Sequence, residues 1–449
     1  MPVNRESATE EPFVAGVVDA SGEVSLRRCS LLHFSRLGKK LSTNECMDSL
    51  PTVLLKPGEA DRVLAGHPWI YHGAVLRLTQ PAADGEVVQV KDHRQRFLGV
   101  GFYNSKSKIN VRLLATERME VDRGFFQQRV RAALAVRQRH LPKATSFRVV
   151  NSESDLLSGL IVDKYEDVLV VQTSALGMDQ RKGDIVAVLQ SIFSPAAILE
   201  RNELASRKFE GLADVSGILA GRLEDKVTVR LNGLRFVADL RTGHKTGMYL
   251  DQQDNYQRVA NLASSLSGAQ VLDCFTFVGG FGVHAAKAGA AHVHMLDQSA
   301  EAIGAAKGNA ELNGVGETCS FEVTNVFDWL KAQTASKPNE KIVPRFDLIV
   351  LDPPSFTRNR AAVPDALRGY KEIHLRALKV LKPGGILATF CCSHHVAAPL
   401  FEEVILSAAF DARRLLRRVA TFGQSADHPV IPAIPETEYL KGFAFEIAR

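Results

Sequence analysis

The C-terminal half of the chain is constrained most strongly by a regular alternation of short apolar strands with helical stretches. From about residue 267 onward this alternation predicts strands at Gln270–Asp273, His292–Asp297, Ser320–Val323, Phe346–Asp352 and Gly385–Cys392. Strands separated by helical segments indicate βαβ units and a doubly wound parallel sheet. Such sheets bind their ligands beyond the carboxyl ends of the strands, so we expect the chemistry there.

The ends of the first three predicted strands suit a nucleoside-containing cofactor. The run Asp273–Gly282 is a strand with a glycine-rich turn into a helix, where backbone can approach a ligand and N–H groups are free. The residues of this turn that we expect at the cofactor are Phe275, Thr276, Gly279 and Gly280. The turn lacks GxGxxG spacing, which makes a dinucleotide pyrophosphate the weaker interpretation. Asp297 could accept hydrogen bonds from the hydroxyls of a ribose or cap the helix that begins near Glu301. Asn325 could hydrogen-bond to an adenine edge.

Asp352 and Cys392 close the fourth and fifth predicted strands. Two prolines follow Asp352 and keep the backbone extended, so its carboxylate is expected to project into the ligand crevice. Phe356, just beyond the prolines, could stack on a planar base, although an ordinary loop exit is the alternative. Period-two alternation puts Cys392 last on its strand and packs Cys391 into the sheet. Buried cysteines are often inert, but a place beside the Asp352 loop favours a nucleophile.

A thiol and a carboxyl group at neighbouring strand ends suit methylation at carbon 5 of cytosine. This carbon is too weak a nucleophile to take a methyl group from a sulfonium, whereas thiolate addition at carbon 6 creates an enamine. A free thiol has a pKa of about 8.5, so the site must favour the thiolate, through Lys371 or a helix terminus. Asp352 could hydrogen-bond to N3 of the ring or protonate it as negative charge develops.

The N-terminal half predicts two smaller units. Short β-type runs over residues 52–117 indicate a small β-barrel or sandwich, with Trp69 as a core aromatic. Residues 122–223 combine a basic helix, several strands and a second helix near Asp179–Phe193. Asn232-Gly233 then marks a β-hairpin.

A basic stretch lies in the first of these units. Residues 91–112 contain six cations against one acid, Asp92, and the cations are Lys91, Arg94, Arg96, Lys106, Lys108 and Arg112. Aromatic residues are interleaved among them. An RNA-binding surface and an ordinary polar hairpin face are both compatible with this pattern. The net charge of +5 permits a polyanionic partner without requiring one.

Length and composition narrow the class of protein. A chain of 449 residues exceeds one hydrophobic core and suggests two to four domains. No apolar run approaches the roughly 18 residues of a membrane span, and 45% apolar with 23% charged residues is typical of soluble proteins. The six cysteines show neither CxxC spacing nor a disulfide framework, which suits a reducing cytoplasm. The adjacent His394-His395 does not have metal-ligand spacing, so we expect no metal.

Several further segments carry a resemblance to a known family. They are His67–Tyr71, Glu153–Asp163, Gly243–Gln253, Arg368–Lys371, Leu381–Gly385, Asp427–Val430 and Tyr439–Gly442. Together they resemble the PUA-domain-containing cytosine-5 methyltransferases of large-subunit ribosomal RNA, which belong to the class I S-adenosylmethionine (SAM)-dependent enzymes. The resemblance covers roughly residues 52–449.

This resemblance implies roles for individual residues. Cys392 would be the nucleophile, Asp352 the acid of the fourth strand and Asp297 the acid that binds the ribose. The other residues that it places against the cofactor or the RNA are Gln252, for the cofactor, and Phe356, Tyr370 and Lys371, for the RNA. Cys391 stands where the family commonly has a serine, and Asn325 stands where an acid is common. The fourth-strand motif also lacks the extra cysteine of other RNA cytosine-5 methyltransferases.

The sequence therefore predicts an α/β protein in four parts. Residues 1–48 would form a disordered extension, residues 49–118 a PUA-like RNA-binding domain, residues 119–240 a central α+β domain, and residues 241–449 a Rossmann-like class I methyltransferase domain. The predicted function is SAM-dependent cytosine-5 methylation of ribosomal RNA by a cytoplasmic protein, as a monomer or a homodimer. Two alternatives remain: methylation of a base nitrogen, which needs no thiol, and a non-catalytic RNA-binding factor in ribosome assembly.

Overall fold

The computed structural model describes residues 49–223, 226–243, 245–335, 342–357 and 359–448. The predicted N-terminal extension, residues 1–48, lies outside the described residues. The boundaries predicted for the three remaining parts stay a prediction.

The first sheet is formed by the segment that carries the predicted β-type runs. Its strands are β1 (Thr52–Leu55), β2 (Trp69–Tyr71), β3 (Val75–Leu78), β4 (Val87–Lys91), β5 (Phe97–Tyr103) and β6 (Ile109–Ala115), in the order β2-β6-β5-β4-β1-β3. A short helix, α1 (Asp61–Leu64), follows β1. Val88 and Val90 are fully buried in the core of this unit because alternate residues of β4 face the same side.

The second sheet has five strands and three helices. The strands are β7 (Ser146–Asn151), β8 (Leu160–Tyr165), β9 (Val168–Thr173), β10 (Ala197–Arg201) and β11 (Ser216–Gly221), and the helices are α2 (Arg123–His140), α3 (Leu176–Gln180) and α4 (Lys182–Phe193). The single helix expected near Asp179–Phe193 is thus two helices, because the backbone leaves helical geometry at Arg181 (φ −102°, ψ 12°). Asp122 begins α2 by accepting a hydrogen bond from the Phe125 amide.

A hairpin connects the second sheet to the third. It pairs β12 (Val227–Leu231) with β13 (Leu234–Ala238). Asn232 and Gly233 have φ of 52° and 83°, as the predicted two-residue turn requires. The prediction of this hairpin is confirmed.

The third sheet is doubly wound, as predicted. Its strands are β14 (Gln270–Cys274), β15 (His292–Asp297), β16 (Cys319–Val323), β17 (Phe346–Leu351), β18 (Leu381–Cys391), β19 (Leu416–Gly423) and β20 (Lys441–Ile447), in the order β16-β15-β14-β17-β18-β20-β19. The first five are parallel and match the predicted strands, while β20 runs antiparallel to β18. The sequence did not indicate β19 and β20, because charged residues interrupt the apolar pattern of β19.

Helices cover both faces of this sheet. They are α5 (Gln253–Ser264), α6 (Gly280–Lys287), α7 (Ala300–Leu312), α8 (Val326–Thr334), α9 (Val363–Val380) and α10 (Ala398–Asp411). On β18, Ile386, Ala388 and Phe390 pack into one apolar cluster, whereas Leu387 and Cys391 pack into the other. This alternation leaves Cys392 on the side of the first cluster. Among the described residues, no helix combines the length and apolar character that crossing a bilayer requires.

Candidate active site

The turn after β14 has an unusual backbone. Phe275 and Phe277 have φ of 63° and 51°, and Gly279 has φ of 86°. Positive φ is strained for a phenylalanine, and such strain clusters at functional sites. A Cβ on Gly280 would lie 2.6 Å from the ring of Tyr256, so only glycine fits where α6 begins. The turn therefore brings backbone and the free N–H groups of a helix start to the carboxyl end of β14.

Asp273, near the end of β14, holds this turn together. Its Oδ2 accepts hydrogen bonds from Thr276 Oγ1 (2.6 Å) and from the backbone N–H of Gly282 (2.9 Å). Its Oδ1 is buried and finds no hydrogen-bond partner among the described residues. Burial raises the pKa of Asp273 to about 7, and the charge of Asp297 adds to the rise while the hydrogen bonds oppose it. The unpartnered oxygen fits a donor group on a bound cofactor, a role for which the sequence did not single out this residue.

Asp297 and Asn325 follow the neighbouring strands β15 and β16. Asp297 accepts hydrogen bonds from the backbone N–H of Phe277 and of Ser299, both 3.0 Å, and Ser299 rather than Asp297 caps α7. The alternative that Asp297 is a plain helix cap is therefore wrong. Asn325 caps α8 through its Oδ1, which accepts from the backbone N–H of Phe327 at 2.9 Å. Its oxygen is thus occupied in capping, a role that the sequence did not predict.

Asp352 follows β17 directly and is half-buried. The side-chain amide of Gln252 donates a hydrogen bond to its Oδ2 (3.0 Å), and Gln252 in turn accepts one from Asn255 (2.6 Å). Burial raises the pKa of Asp352 to about 7, and the charge of Asp251 adds to the rise, whereas Lys245 and the Gln252 hydrogen bond oppose it. A carboxyl group with this pKa can donate or accept a proton near neutral pH.

Cys392 was predicted to be the last residue of its strand, but β18 ends at Cys391 and Cys392 follows it directly. It is half-buried, whereas Cys391 is fully buried, and both are free thiols. Burial raises the pKa of the Cys392 thiol to about 11, the charge of Asp352 adds to the rise, and Lys245 opposes it. In the free protein the thiol is therefore protonated at neutral pH, and reaction requires that its proton be removed.

Two consecutive residues of α9 differ from their predicted roles. Tyr370 is fully buried and packs on Phe356 with 4.5 Å between ring centroids, so it is a core residue and not an exposed RNA contact. Lys371 forms an ion pair with Asp411 on α10 (2.8 Å), and it is the charge of Lys245, not of Lys371, that lowers the pKa of Cys392. Neighbouring residues of a helix point about 100° apart, a difference that the linear sequence did not reveal. Phe356 is half-buried and covers Tyr370.

The two loops that carry Asp352 and Cys392 are joined by a hydrogen bond. Ser355 Oγ and Ser393 Oγ are 2.7 Å apart, and the hydroxyl of Tyr370 lies 3.4 Å from Ser393 Oγ. Ser355 belongs to the loop after β17 and Ser393 to the loop after β18. This bridge fixes the carboxyl and thiol loops relative to each other.

Comparisons with known proteins agree with this geometry. Residues 53–116 match the PUA-like domain family, and residues 200–427 match the S-adenosylmethionine-dependent methyltransferase family. The chain is 37% identical over 398 residues to ribosomal RNA large subunit methyltransferase I of Alteromonas mediterranea, with 88% of this chain and 98% of the relative covered. The protein of the same description from Shewanella amazonensis is 38% identical over 400 residues, with 88% and 99% covered. This chain belongs to the ribosomal RNA large subunit methyltransferase I family.

Solved structures support the fold of this family member. A protein from Streptococcus mutans described as a SAM-dependent methyltransferase superimposes with a TM-score of 0.73 at 20% identity, covering 88% of this chain and 100% of that one. A methyltransferase complexed with SAH gives a TM-score of 0.74, also at 20% identity and with 88% and 100% covered. At this identity the likeness establishes the fold alone. The predicted fold class and SAM as the cofactor of the family are confirmed.

A charged cluster that the sequence did not indicate lies in the segment before α5. Lys245 Nζ lies 2.7 Å from Asp251 Oδ2, and the hydroxyl of Tyr439 donates to the same oxygen at 2.7 Å. Although burial opposes it, the charges of Lys245 and His428 hold the pKa of Asp251 below its usual range. Asp251 Oδ1 is buried and has no hydrogen-bond partner in the part of the chain that the structure describes, so like Asp273 Oδ1 it could accept a hydrogen bond from a ligand. The sequence signal for this cluster was that its residues belong to the segments 243–253, 427–430 and 439–442.

The cations of the basic stretch, residues 91–112, lie partly on the surface and partly in the interior of the protein. The exposed cations are Arg94, Arg96, Lys106 and Lys108, whereas Lys91 is half-buried. Arg96 pairs with Asp92 (2.6 Å). Arg112 is an interior residue: its guanidinium pairs with Glu210 (3.0 Å) and lies 5.5 Å from the ring centroid of the half-buried Trp69. Arg112 is therefore not the RNA contact that was predicted, because Glu153, Ser158 and Glu210 cover the face of β6 on which it lies.

Proposed function

We propose that this protein transfers a methyl group from SAM to carbon 5 of a cytosine in large-subunit ribosomal RNA, through a covalent adduct with Cys392. The observation that carries the proposal is the placement of a half-buried thiol and a carboxyl group with a pKa of about 7 at the ends of the adjacent strands β18 and β17. Its relatives bear the name ribosomal RNA large subunit methyltransferase I, which supports the RNA as substrate.

The proposed reaction assigns one task to each residue of the pair. The Cys392 thiolate adds to carbon 6 of the cytosine, and the proton of Asp352 passes to N3 as electrons move into the ring. SAM, when bound, supplies the methyl group that carbon 5 takes up. A base then takes the proton from carbon 5, the double bond between carbons 5 and 6 re-forms, and the bond between carbon 6 and sulfur breaks with its electrons returning to sulfur as the thiolate. N3 returns its proton to the Asp352 carboxylate, which restores the acid and releases 5-methylcytosine. Both groups of the pair are half-buried, which limits the access of water and strengthens the electrostatic interactions that the transfer uses.

The proposed cofactor contacts surround the ends of β14, β15 and β16. Asp297 would hold the ribose hydroxyls, and the amide Nδ2 of Asn325, on a residue whose oxygen caps α8, would face the adenine. The remaining proposed contacts are Phe275, Thr276, Gly279, Gly280 and Gln252. The unpartnered Oδ1 atoms of Asp251 and Asp273 support a cofactor that carries an amino group.

The proposed RNA contacts lie on the first sheet and beside the pair. Lys91, Arg94, Arg96, Lys106 and Lys108 would bind phosphates, and Phe356 and Lys371 would lie near the target base. Cytosine inside structured RNA must leave its stack to reach a half-buried thiol, so we expect a flipped base. A cytoplasmic location follows from this substrate and remains part of the proposal, as does a homodimer.

Bisulfite sequencing of ribosomal RNA tests the proposal. Deletion of the gene should remove protection from one cytosine, wild-type protein should restore it, and Cys392→Ala should not. Cys391→Ala is the matched control because it removes the neighbouring thiol, which is buried in the sheet, and it should restore protection. An unchanged cytosine map would overturn the proposal. Loss of a methylated base nitrogen, detected by mass spectrometry, would then favour amine methylation by the Asp352-Pro353-Pro354 motif.

A further inference from the structure

The loop that carries Cys392 is also held from β20. The ammonium group of Lys441 donates a hydrogen bond to the backbone carbonyl of Ser393 over 2.6 Å. Lys441 is the first residue of β20 and stands directly opposite Cys391 in the antiparallel register with β18. This cross-strand position brings a half-buried cation to the strand end at which the thiol lies.

Lys441 differs from the other lysine near the thiol in its counter-charge. Lys245 is paired with Asp251 at 2.7 Å, which neutralises most of its field at a distance. Lys441 forms no ion pair with any carboxylate of the described part of the chain. Burial lowers the pKa of Lys441, while the charges of Cys391, Cys392 and Glu438 raise it. Because the attraction between two charges is mutual, the ammonium group also favours the neighbouring thiolates.

Most other titratable groups around the thiol disfavour its ionisation. Asp352 approaches from the end of β17. The other titratable groups come from the segment before α5, from the helix α9 and from β18 itself. These further groups are Lys245, Tyr249, Asp251, Tyr370 and Cys391. Glu438 and His394 lie near Lys441. Among these neighbours in the described part of the chain, Lys441 is a cation without an ion-pair partner, and such a charge would stabilise the thiolate of Cys392.

We propose that Lys441 is a positioning residue for Cys392: it fixes the loop after the nucleophile through the Ser393 carbonyl and keeps a positive charge beside the thiolate. The inference rests on the proposed role of Cys392 as nucleophile. Ser393 is held independently through its side chain by Ser355, 2.7 Å away. Loss of Lys441 therefore leaves one anchor of the loop in place and removes the charge.

The rate at which iodoacetamide alkylates Cys392 tests this role without RNA or SAM. The full-length protein is labelled between pH 7 and pH 10, and the modified cysteine is located by mass spectrometry. Only the thiolate reacts, so a pKa higher by one makes alkylation at a given pH about tenfold slower, and we expect this for Lys441→Met. Lys441→Arg keeps the charge and should stay within about threefold of wild type on the same reasoning.

Lys382→Met is the matched control. Lys382 belongs to the opposite end of β18, where it pairs with Asp347 at 2.9 Å, so its loss should leave the alkylation profile unchanged. Lys441→Gln is a second neutral variant that keeps a hydrogen-bond donor, and circular dichroism reports whether each variant is folded. If Lys441→Gln slows alkylation as Lys441→Met does, the charge is the cause.

Three results would overturn the inference. They are coincident profiles for wild type and the neutral variants, an equal loss in Lys441→Arg, and labelling of Cys391 in place of Cys392. Methylation by Cys392→Ala would instead refute the proposed function. The alkylation profiles would still report whether Lys441 acts on the thiol, so the two failures are distinguishable.

Discussion

The side-chain amide of Gln252 donates a hydrogen bond to the carboxylate of Asp352, with 3.0 Å between Nε2 and Oδ2. Gln252 immediately precedes α5 and Asp352 follows β17, so the contact joins the start of the third unit to the end of a central strand. Donation to the carboxylate favours its charged form, whereas burial raises the pKa of Asp352 to about 7. Because these two effects oppose each other, the pKa of Asp352 stays close to neutral pH.

The pH dependence of methylation should therefore change slope near pH 7. The proposed reaction needs Cys392 as thiolate and Asp352 as acid, so kcat/KM should rise about tenfold per pH unit at low pH and level off above about pH 7. Above that pH the loss of the acid cancels the gain in thiolate. In Asp352→Asn the levelling should disappear, and kcat/KM at pH 7 should fall by about 100- to 10,000-fold. Transfer of a radiolabelled methyl group to an RNA fragment measures both effects.

Gln252→Ala should shift this change of slope to higher pH. Removing the donor leaves burial less opposed, so the pKa of Asp352 rises further. Gln257→Ala is the control, because Gln257 is exposed on the same helix and its side-chain amide donates to Asn261 at 3.0 Å. If both variants level off at the pH of wild type, the hydrogen bond to Asp352 has no effect on its ionisation.

Asp273 should make the folded protein less stable as pH rises. Its pKa is about 7 in the folded protein and about 4 in an unfolded chain, so its stabilising contribution is complete below about pH 4 and is lost as pH rises to 7. Ionised and buried, it should cost about 4 kcal/mol at pH 8 relative to the neutral acid. Asp273→Asn cannot ionise, so the difference in unfolding free energy between pH 5 and pH 8 should shrink by about 2–3 kcal/mol.

Urea denaturation at the two pH values measures this difference. Asp365→Asn, at an exposed carboxyl group of α9, serves as control and should leave the pH dependence as it is in wild type. An unchanged difference for Asp273→Asn would mean that the carboxyl group remains charged or reaches solvent.

The strands of the third sheet could be predicted because parallel strands covered on both faces are nearly continuous apolar runs. The positions of Asp352 and Cys392 could then be predicted as well, because a turn motif marks the end of each of their strands. The edge pair β19 and β20 could not be predicted, because β19 carries Arg417 and Arg418, which pair with Glu446 and Glu402 at its surface. Charge in a strand hides the apolar pattern on which prediction depends.

The electrostatic neighbours of the thiol could not be predicted for a different reason. Lys245 and Lys441 lie far from Cys392 in the chain, and only the folded sheet brings them to it. For Arg112 and Tyr370 the opposite error occurred: the sequence predicted RNA contacts where the structure has covered side chains. Their residue types suited RNA, but distant parts of the chain cover both side chains. Glu153 and Glu210 cover Arg112, and Phe356 covers Tyr370. Composition reports which groups are present and not which way they point.

The exposed cations of the first sheet should govern the salt dependence of RNA binding. Each lysine that contacts a phosphate contributes about one to the slope of log K against log salt, so Lys106→Gln with Lys108→Gln should lower the slope by about two. Lys287→Gln with Lys307→Gln removes the same net charge from exposed positions of α6 and α7 and is the control. Fluorescence anisotropy with an rRNA fragment measures the slopes, and equal slopes for the two double variants would exclude this surface.

Arg112→Met should reduce stability and leave that salt slope unchanged. The variant leaves Glu210, which is 3% exposed, without its cation, and a broken buried pair typically costs about 3–5 kcal/mol. Although burial opposes it, Arg112 and hydrogen bonds from Ser107 and Asn104 hold the pKa of Glu210 below its usual range. The stabilisation therefore exists above the unfolded pKa of about 4.3 and is lost as pH falls through the lower folded value.

A double-mutant cycle separates the ion pair from the packing of Arg112 against Trp69. Glu210→Gln removes the charge and keeps a side chain of the same shape, so Arg112→Met should cost less in that background than in wild type. The unfolding free energy of the four proteins at pH 7 gives the coupling, which we expect to be about 1–3 kcal/mol. At pH 3.5, where more of Glu210 is protonated, the coupling should be smaller. If the two substitutions are additive at pH 7, the aromatic contact and not the charge of Glu210 is what keeps Arg112 in the interior.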